Sequence, residues 1–186
     1  LRDAMKGITR VYHCAAVVSL GKGNNTLMDT NVLGTRNIVS VALENKIDKF
    51  CFVSSIAACG FADHDEMITE ETPWEKSNHK SLYAISKYKA EQEIWKAIQN
   101  GLNAVIVNPG VILGVSGTSS GSSLIFEQSR KGLLFYTLGG SGYVDVQDVV
   151  KVMIQLMESN ISGERFILVS ENNSNKEILT MMSKAF

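Results

Sequence analysis

The chain has 186 residues, of which 45% are hydrophobic, and its 18 lysines and arginines against 19 aspartates and glutamates give a formal net charge of -1. Such a length and apolar content suit one compact domain or part of one. The scattered, balanced charges exclude a basic stripe for nucleic acid or a polybasic surface for lipid, which leaves a small molecule or another subunit as the expected partner. No apolar run approaches the ~20 residues that span a bilayer, and no charged-then-apolar export segment opens the chain, so a cytoplasmic protein without a membrane segment is expected. Cys14, Cys51 and Cys59 are odd in number and lack Cys-x-x-Cys spacing. They read as reduced, buried thiols.

In chain order, residues 1–7 read as the tail of a helix feeding a strand at 8–15, and a helix is predicted over 26–44. A second strand at 50–54 precedes a helix over 81–100, which Asn100-Gly101 should stop before a third strand at 102–108. Helices over 122–131 and 146–158, a strand at 165–169 and a helix over 176–185 follow, the last opened by a Ser174-x-x-Glu177 capping-box pattern. The strands are rich in Val, Ile and Phe and read as buried. Strands alternating with amphipathic helices predict an α/β fold: a doubly wound, mostly parallel sheet with right-handed crossovers. Both ends look abrupt for such a sheet, so the fold is expected to be incomplete at both ends and the chain to be a fragment of a longer protein.

Tyr83-Ala84-Ile85-Ser86-Lys87 sets a tyrosine and a lysine four apart at the start of a helix, on one face. An ammonium beside a phenol favours the ionised form, so the pair suits proton transfer near neutral pH. Upstream, Phe50 to Val53 runs into Ser54-Ser55, placing hydroxyls at the carboxyl end of a sheet strand, where open α/β sheets bind ligands. Either serine could polarise a substrate oxygen or simply make the turn.

Six motifs in order resemble the extended short-chain dehydrogenase/reductase family. They are Val11-Tyr12-His13-Cys14-Ala15-Ala16, Asn31-Val32-Leu33-Gly34-Thr35, Ser54-Ser55 with Gly60, Tyr83 with Lys87, Asn108-Pro109-Gly110-Val111-Ile112-Leu113-Gly114, and Tyr143-Val144-Asp145-Val146-Gln147-Asp148-Val149. The resemblance implies a Rossmann-like NAD(P)-binding domain spanning 1–186, with the start of a substrate-binding region at about 115–145 and 170–186. It implies Tyr83 as the acid-base residue, Lys87 lowering its pKa and binding the nicotinamide ribose, Ser55 rather than Ser54 on the substrate oxygen, and Asn31 holding a relay water. It also implies cofactor contacts at Ala15, Ala16, Val17, Ser54, Tyr83, Lys87, Pro109, Gly110 and Val111. The glycine-rich turn that carries the pyrophosphate in this family has no counterpart here: Gly21-x-Gly23 lacks a correctly spaced third glycine and reads as a loop. NAD and NADP therefore stand as equal expectations. The helices at 26–44 and 81–100 resemble those that pair across the family's dimer, so a homodimer is expected, with some of Leu33, Val41, Ile94 and Trp95 between subunits.

Cys59 occupies a place where nucleotide-sugar epimerases and dehydratases of the family usually carry tyrosine, and Asn108-Pro109-Gly110 departs from their pattern. The segments look more like the dihydroflavonol-reductase-like branch, so a carbonyl or secondary-alcohol oxidoreductase is favoured over an epimerase or dehydratase. A non-catalytic NAD(P)-binding redox sensor is the reading from another class. Asp63-His64-Asp65-Glu66 reads as a solvated loop and no metal site is expected. His13 reads as a core histidine, and 117–123 as a loop bordering the substrate pocket.

Overall fold

The computed structural model describes residues 1–18, 25–60, 67–74, 81–114, 123–131 and 135–185. In chain order its elements are α1 (Arg2–Met5), β1 (Arg10–His13), α2 (Asn25–Met28), a π-helical turn (Asp29–Leu33), α3 (Gly34–Glu44), β2 (Lys49–Val53) and a 3-10 turn (Ile56–Ala58). Then come α4 (Leu82–Gln99), β3 (Ala104–Pro109), β4 (Val111–Leu113), α5 (Ser123–Lys131), β5 (Gly140–Asp145), α6 (Val146–Glu158), β6 (Glu164–Leu168), β7 (Glu171–Ser174) and α7 (Asn175–Lys184). They fall into two compact units, Leu1–Asn108 with Met153–Ile167, and Pro109–Val152 with Leu168–Phe186. No helix among the described residues is long and apolar enough to cross a membrane.

The first unit holds a sheet in the order β1-β2-β3-β6. Its first three strands are parallel, with Val11 opposite Phe50 and Phe52 opposite Ile106. The unbroken apolar runs of β2 and β3 are what a parallel sheet covered on both faces requires. Alternate strand residues, Val11, Phe50, Phe52, Ala104 and Ile106, form one core with Val39 and Ala42 of α3 and Ala90, Ile94 and Ala97 of α4. Period two on strands thus meets period three to four on helices. Val41 and Ile94 are buried in this core and Trp95 packs against it, which removes them from the surface expected to lie between subunits. Leu33 stays 43% exposed.

Lys49 opens β2 as a buried cation. Its Nζ donates to Asn103 Oδ1 at 3.1 Å, to the Ser159 carbonyl at 3.3 Å and to the Ile161 carbonyl, tying the start of the sheet to the chain that follows α6. Cys51 and Cys59 are buried and free, as expected. Cys14 is exposed, one residue beyond the end of β1.

The expected helix over 26–44 is interrupted, because the Gly34 amide reaches back to the Asp29 carbonyl and widens the turn around Asn31. The second unit contains a sheet that the sequence pattern did not reveal, in the order β4-β5-β7, with β4 parallel and β7 antiparallel to β5. Gly-Ser-Gly in β5 and Glu-Asn-Asn-Ser in β7 carry none of the β-branched signal on which strand reading depends. The glycines belong there because backbones approach closely: a Cβ on Gly140 would lie 2.6 Å from the Asn173 carbonyl oxygen. The capping box of α7 forms in both halves, Glu177 N to Ser174 Oγ at 3.2 Å and Ser174 N to Glu177 Oε2 at 2.8 Å.

Gly60 closes the turn after the 3-10 segment with φ of +94°, and a Cβ there would stand 2.5 Å from the Pro73 carbonyl oxygen. Gly60→Ala is expected to destabilise the protein by ~1 to 3 kcal/mol, read as a lower denaturant midpoint at unchanged slope.

Candidate functional site

Strand β2 delivers two serines to the carboxyl edge of the sheet. The Ser54 amide continues the ladder by donating to the Val107 carbonyl at 2.8 Å. Ser55 then leaves it, and its Oγ accepts from the Ala57 amide at 3.2 Å, capping the 3-10 turn. The hydroxyl proton is left to be donated elsewhere. Making the turn therefore leaves the donor that the expected contact with a substrate oxygen would use, since a turn-making oxygen retains its proton.

Helix α4 supplies the facing groups. Ser81 caps it, with Oγ accepting from the Ala84 amide at 3.1 Å, so Tyr83 sits in the first turn and Lys87 one turn below. Burial pushes the Tyr83 phenol up, and a hydrogen bond from Ser55 opposes that by favouring the phenolate. Lys87, expected to lower the phenol, is absent from the influences on it. The lysine is 2% exposed. Its Nζ donates to the Val53 carbonyl at 2.8 Å and stands 4.8 Å above the Phe52 ring centroid. Burial lowers its pKa to about 8 against the opposing charges of Glu91 and Cys14.

Asn31 lies in the π turn. Its Oδ1 accepts from the Val17 amide at 2.8 Å, while Nδ2 donates to the Val17 carbonyl at 3.0 Å and to Ser86 Oγ at 3.0 Å. The carboxamide therefore pins the chain leaving β1 to α4. Thr35 Oγ1 donates to the Asn31 carbonyl at 2.7 Å, so the 2.9 Å contact between Thr35 and His13 Nε2 has the imidazole as donor. Burial first, and Lys87 second, hold His13 neutral with a pKa lowered to about 4. It is a core histidine, as its apolar strand suggested. Ala15 is exposed and Ala16 and Val17 are half-buried, which leaves the carboxyl end of β1 open.

Sequence reasoning missed three participants. Glu91, four residues after Lys87 on the same face of α4, is fully buried, as is Asn108, and Asn108 Nδ2 bonds both Glu91 Oε1 at 2.6 Å and the Ser55 carbonyl at 2.9 Å. Arg165 Nη1 stands 3.5 Å from Glu91 Oε2. Extending the four-residue spacing past Lys87 would have found the glutamate, whereas nothing local marks Arg165. The first unit brings together Asn31, Val17, Ser54, Ser55, Tyr83 and Lys87.

Pro109, Gly110 and Val111 belong to the second unit. There the Gly110 amide donates to the Leu168 carbonyl at 3.0 Å, and Val111 pairs with Tyr143. A Cβ on Gly110 would collide with the Gly142 carbonyl, so this glycine has a packing role of its own. Gly21-x-Gly23, the Asp63 to Glu66 run and 117–122 lie outside the described residues.

Comparison with known proteins bears on the same elements. The male sterility protein family, an NAD-binding family, matches residues 1–158. The Synechocystis sp. protein named "Putative dihydroflavonol 4-reductase" is 34% identical over 193 residues, covering 98% of this chain and 55% of that protein. Cinnamoyl-CoA reductase 1 of Petunia hybrida is 28% identical over 197 residues, covering 100% of this chain and 58% of that protein. The chain thus spans a little over half the length of these relatives. Among solved structures, gox2253 superposes with a TM-score of 0.90 at 32% identity over 99% of this chain and 57% of its own. UDP-glucose 4-epimerase of Thermus thermophilus, solved with NAD, superposes with a TM-score of 0.86 at 24% identity over 99% and 64%, a likeness of fold. The ordered motifs, the parallel sheet and the match over 1–158 together place the chain in the extended short-chain dehydrogenase/reductase family, among its NAD-binding male sterility-type members.

Proposed function

We propose that the protein containing this chain is a nicotinamide-dependent reductase of a ketone, aldehyde or thioester carbonyl. The observation that carries the reading is a buried Lys87, one helical turn from Tyr83, whose Nζ donates at 2.8 Å to the carbonyl of Val53, two residues before Ser55 on the same strand end, with Tyr83 read as paired to that serine. Burial keeps the phenol protonated, the form that donates to a carbonyl oxygen during reduction. The Ser55 hydroxyl polarises the same oxygen and favours the phenolate left behind. Names of the relatives, a dihydroflavonol reductase and a cinnamoyl-CoA reductase, agree with this direction of chemistry.

A nicotinamide cofactor, NAD or NADP, would supply the hydride. The residues present suit one: the carboxyl end of β1 is open at Ala15 and Ala16, and Lys87 Nζ makes one hydrogen bond among the described residues, leaving donors for ribose hydroxyls. Asn31 secures the Val17 backbone at that edge, and a relay water on its second carbonyl lone pair belongs to this reading. Substrate recognition is assigned to the second unit, which contains the regions 115–145 and 170–186. The full protein is read as a cytoplasmic homodimer joined through the face that carries Leu33, a reading supported by that residue's exposure at the end of the π turn.

Turnover of the full-length protein on a dihydroflavonol and cinnamoyl-CoA with NADH and with NADPH, and on UDP-glucose with the oxidised cofactor, tests the assignment. Oxidation of the reduced cofactor by either carbonyl compound is expected. Interconversion of the UDP-sugar alone would indicate an epimerase, and cofactor binding without turnover on any of them would indicate a sensor.

Tyr83→Phe keeps the ring and is expected to retain the fold and cofactor affinity while hydride transfer falls ~10² to 10⁴-fold, measured by single-turnover cofactor absorbance. The pH profile of kcat/KM should decline as pH rises through about 8, where Lys87 loses its proton. Lys87→Arg keeps the charge and should move that alkaline limb upward at reduced rate; a limb left in place would reassign it. Sedimentation of the full-length protein at micromolar concentration should give a dimer, and Leu33→Asp a monomer. A wild-type monomer would remove the two-fold assembly.

A further inference from the structure

Three residues on one face of α4, Tyr83, Lys87 and Glu91, follow one another at intervals of four. The first two have roles in the proposed reaction; the third has none. A carboxylate with 0% exposure at the base of such a site is costly unless its bonds accomplish something an apolar side chain could not. Its partners indicate what that is. Oε1 accepts from Asn108 Nδ2 at 2.6 Å, and the same nitrogen donates its other hydrogen to the Ser55 carbonyl at 2.9 Å. Both hydrogens of one planar amide are thereby used, so the carboxylate dictates which way the Asn108 carboxamide faces. Had the amide been reversed, its oxygen would meet two acceptors.

Glu91 is itself oriented. Oε2 lies 3.5 Å from Arg165 Nη1, and Arg165 Nε donates to the Glu70 carbonyl at 2.8 Å. Glu70 Oε1 in turn accepts from the Ile167 amide at 2.8 Å. Buried Ser54 Oγ, Glu91 Oε2 and Asn108 Oδ1 make no well-formed hydrogen bond among the described residues, so Glu91 Oε2 has only the ion-pair approach of Arg165 and the link from α4 to Ser55 runs through Glu91 Oε1 and Asn108 Nδ2.

We propose that Glu91 is a positioning residue of the site, fixing the Ser55 backbone opposite Tyr83 through the carboxamide of Asn108. One rigid helix then holds the phenol directly and the serine indirectly, so the spacing between the two hydroxyl-bearing residues follows from the length of α4 between positions 83 and 91. The inference rests on the Tyr83–Ser55 pairing proposed above.

The test is the phenolate titration of Tyr83 in full-length protein, taken as the ultraviolet difference against Tyr83→Phe, in Ser55→Ala, Asn108→Ala, Glu91→Ala and Glu91→Gln, each checked for native circular dichroism. Ser55→Ala should raise the Tyr83 midpoint by about one pH unit, a tenfold change in ionisation. Glu91→Ala and Asn108→Ala should raise it in the same direction, the double variant no further than either single one. Glu91→Gln, whose amide oxygen can still accept from Asn108, should restore most of the shift. A folded Glu91→Ala with wild-type titration beside a shifted Ser55→Ala overturns the positioning role and leaves the site reading intact. If Glu91→Ala does not fold, an unshifted Asn108→Ala decides the matter in the same way. An unshifted Ser55→Ala overturns both, because the pair on which Glu91 would act is then missing.

Discussion

Two ionisable side chains, Lys87 and Glu91, are buried where α4 packs over the carboxyl ends of β2 and β3, burial pushing the carboxyl of Glu91 up and the ammonium of Lys87 down, and the arrangement around them follows from the cost of keeping them there. An unpaired ion in such a place costs several kcal/mol even after relaxation, so each must be met by fixed partners. Lys87 is met by the Val53 carbonyl, which becomes available where β2 stops, and by the face of Phe52. Glu91 is met by Asn108 near the end of β3 and by Arg165 of β6. The polar layer is therefore built from strand ends. Below it the same helix face turns apolar, with Ala90, Ile94 and Ala97 against the alternating strand residues. This change of polarity along α4 separates a packing layer from a chemical one.

A second chain of bonds fixes the edge above β1. His13 donates to Thr35, Thr35 to the Asn31 carbonyl, and the Asn31 carboxamide grips both backbone groups of Val17. A regular α-helix would present residue 31 differently, and the π turn at Asp29–Leu33 is the local distortion that accommodates this grip. Neutral His13 belongs to the same arrangement, since a second cation near Lys87 would raise the cost of both.

The second unit obeys a different rule. Its strands approach closely at glycines: a Cβ on Gly110 or Gly140 would meet the carbonyl of Gly142 or Asn173, and one on Gly142 would meet the Val169 side chain. Tyr143, Ile178 and Met182 give it a small core of its own.

Much was legible without coordinates. The parallel sheet follows from continuous apolar runs alternating with amphipathic helices. The Tyr83–Lys87 spacing and the serine pair at the end of β2 are patterns local to one helix and one strand end, whereas the choice of Ser55 over Ser54, like the family, rests on the order of six short motifs. What only the tertiary structure decided involves groups distant in sequence. These are the bond from Asn108 to Glu91, the ion pair with Arg165, the hold of Asn31 on Val17, and the burial that raises the Tyr83 phenol and sets Lys87 near 8. The same holds for Val41 and Ile94, whose apolar character is equally suited to a core or an interface. The physical reason is that desolvation and hydrogen-bond geometry depend on what packs across a gap, and a pattern within one segment carries the periodicity of that segment but not the identity of its neighbour.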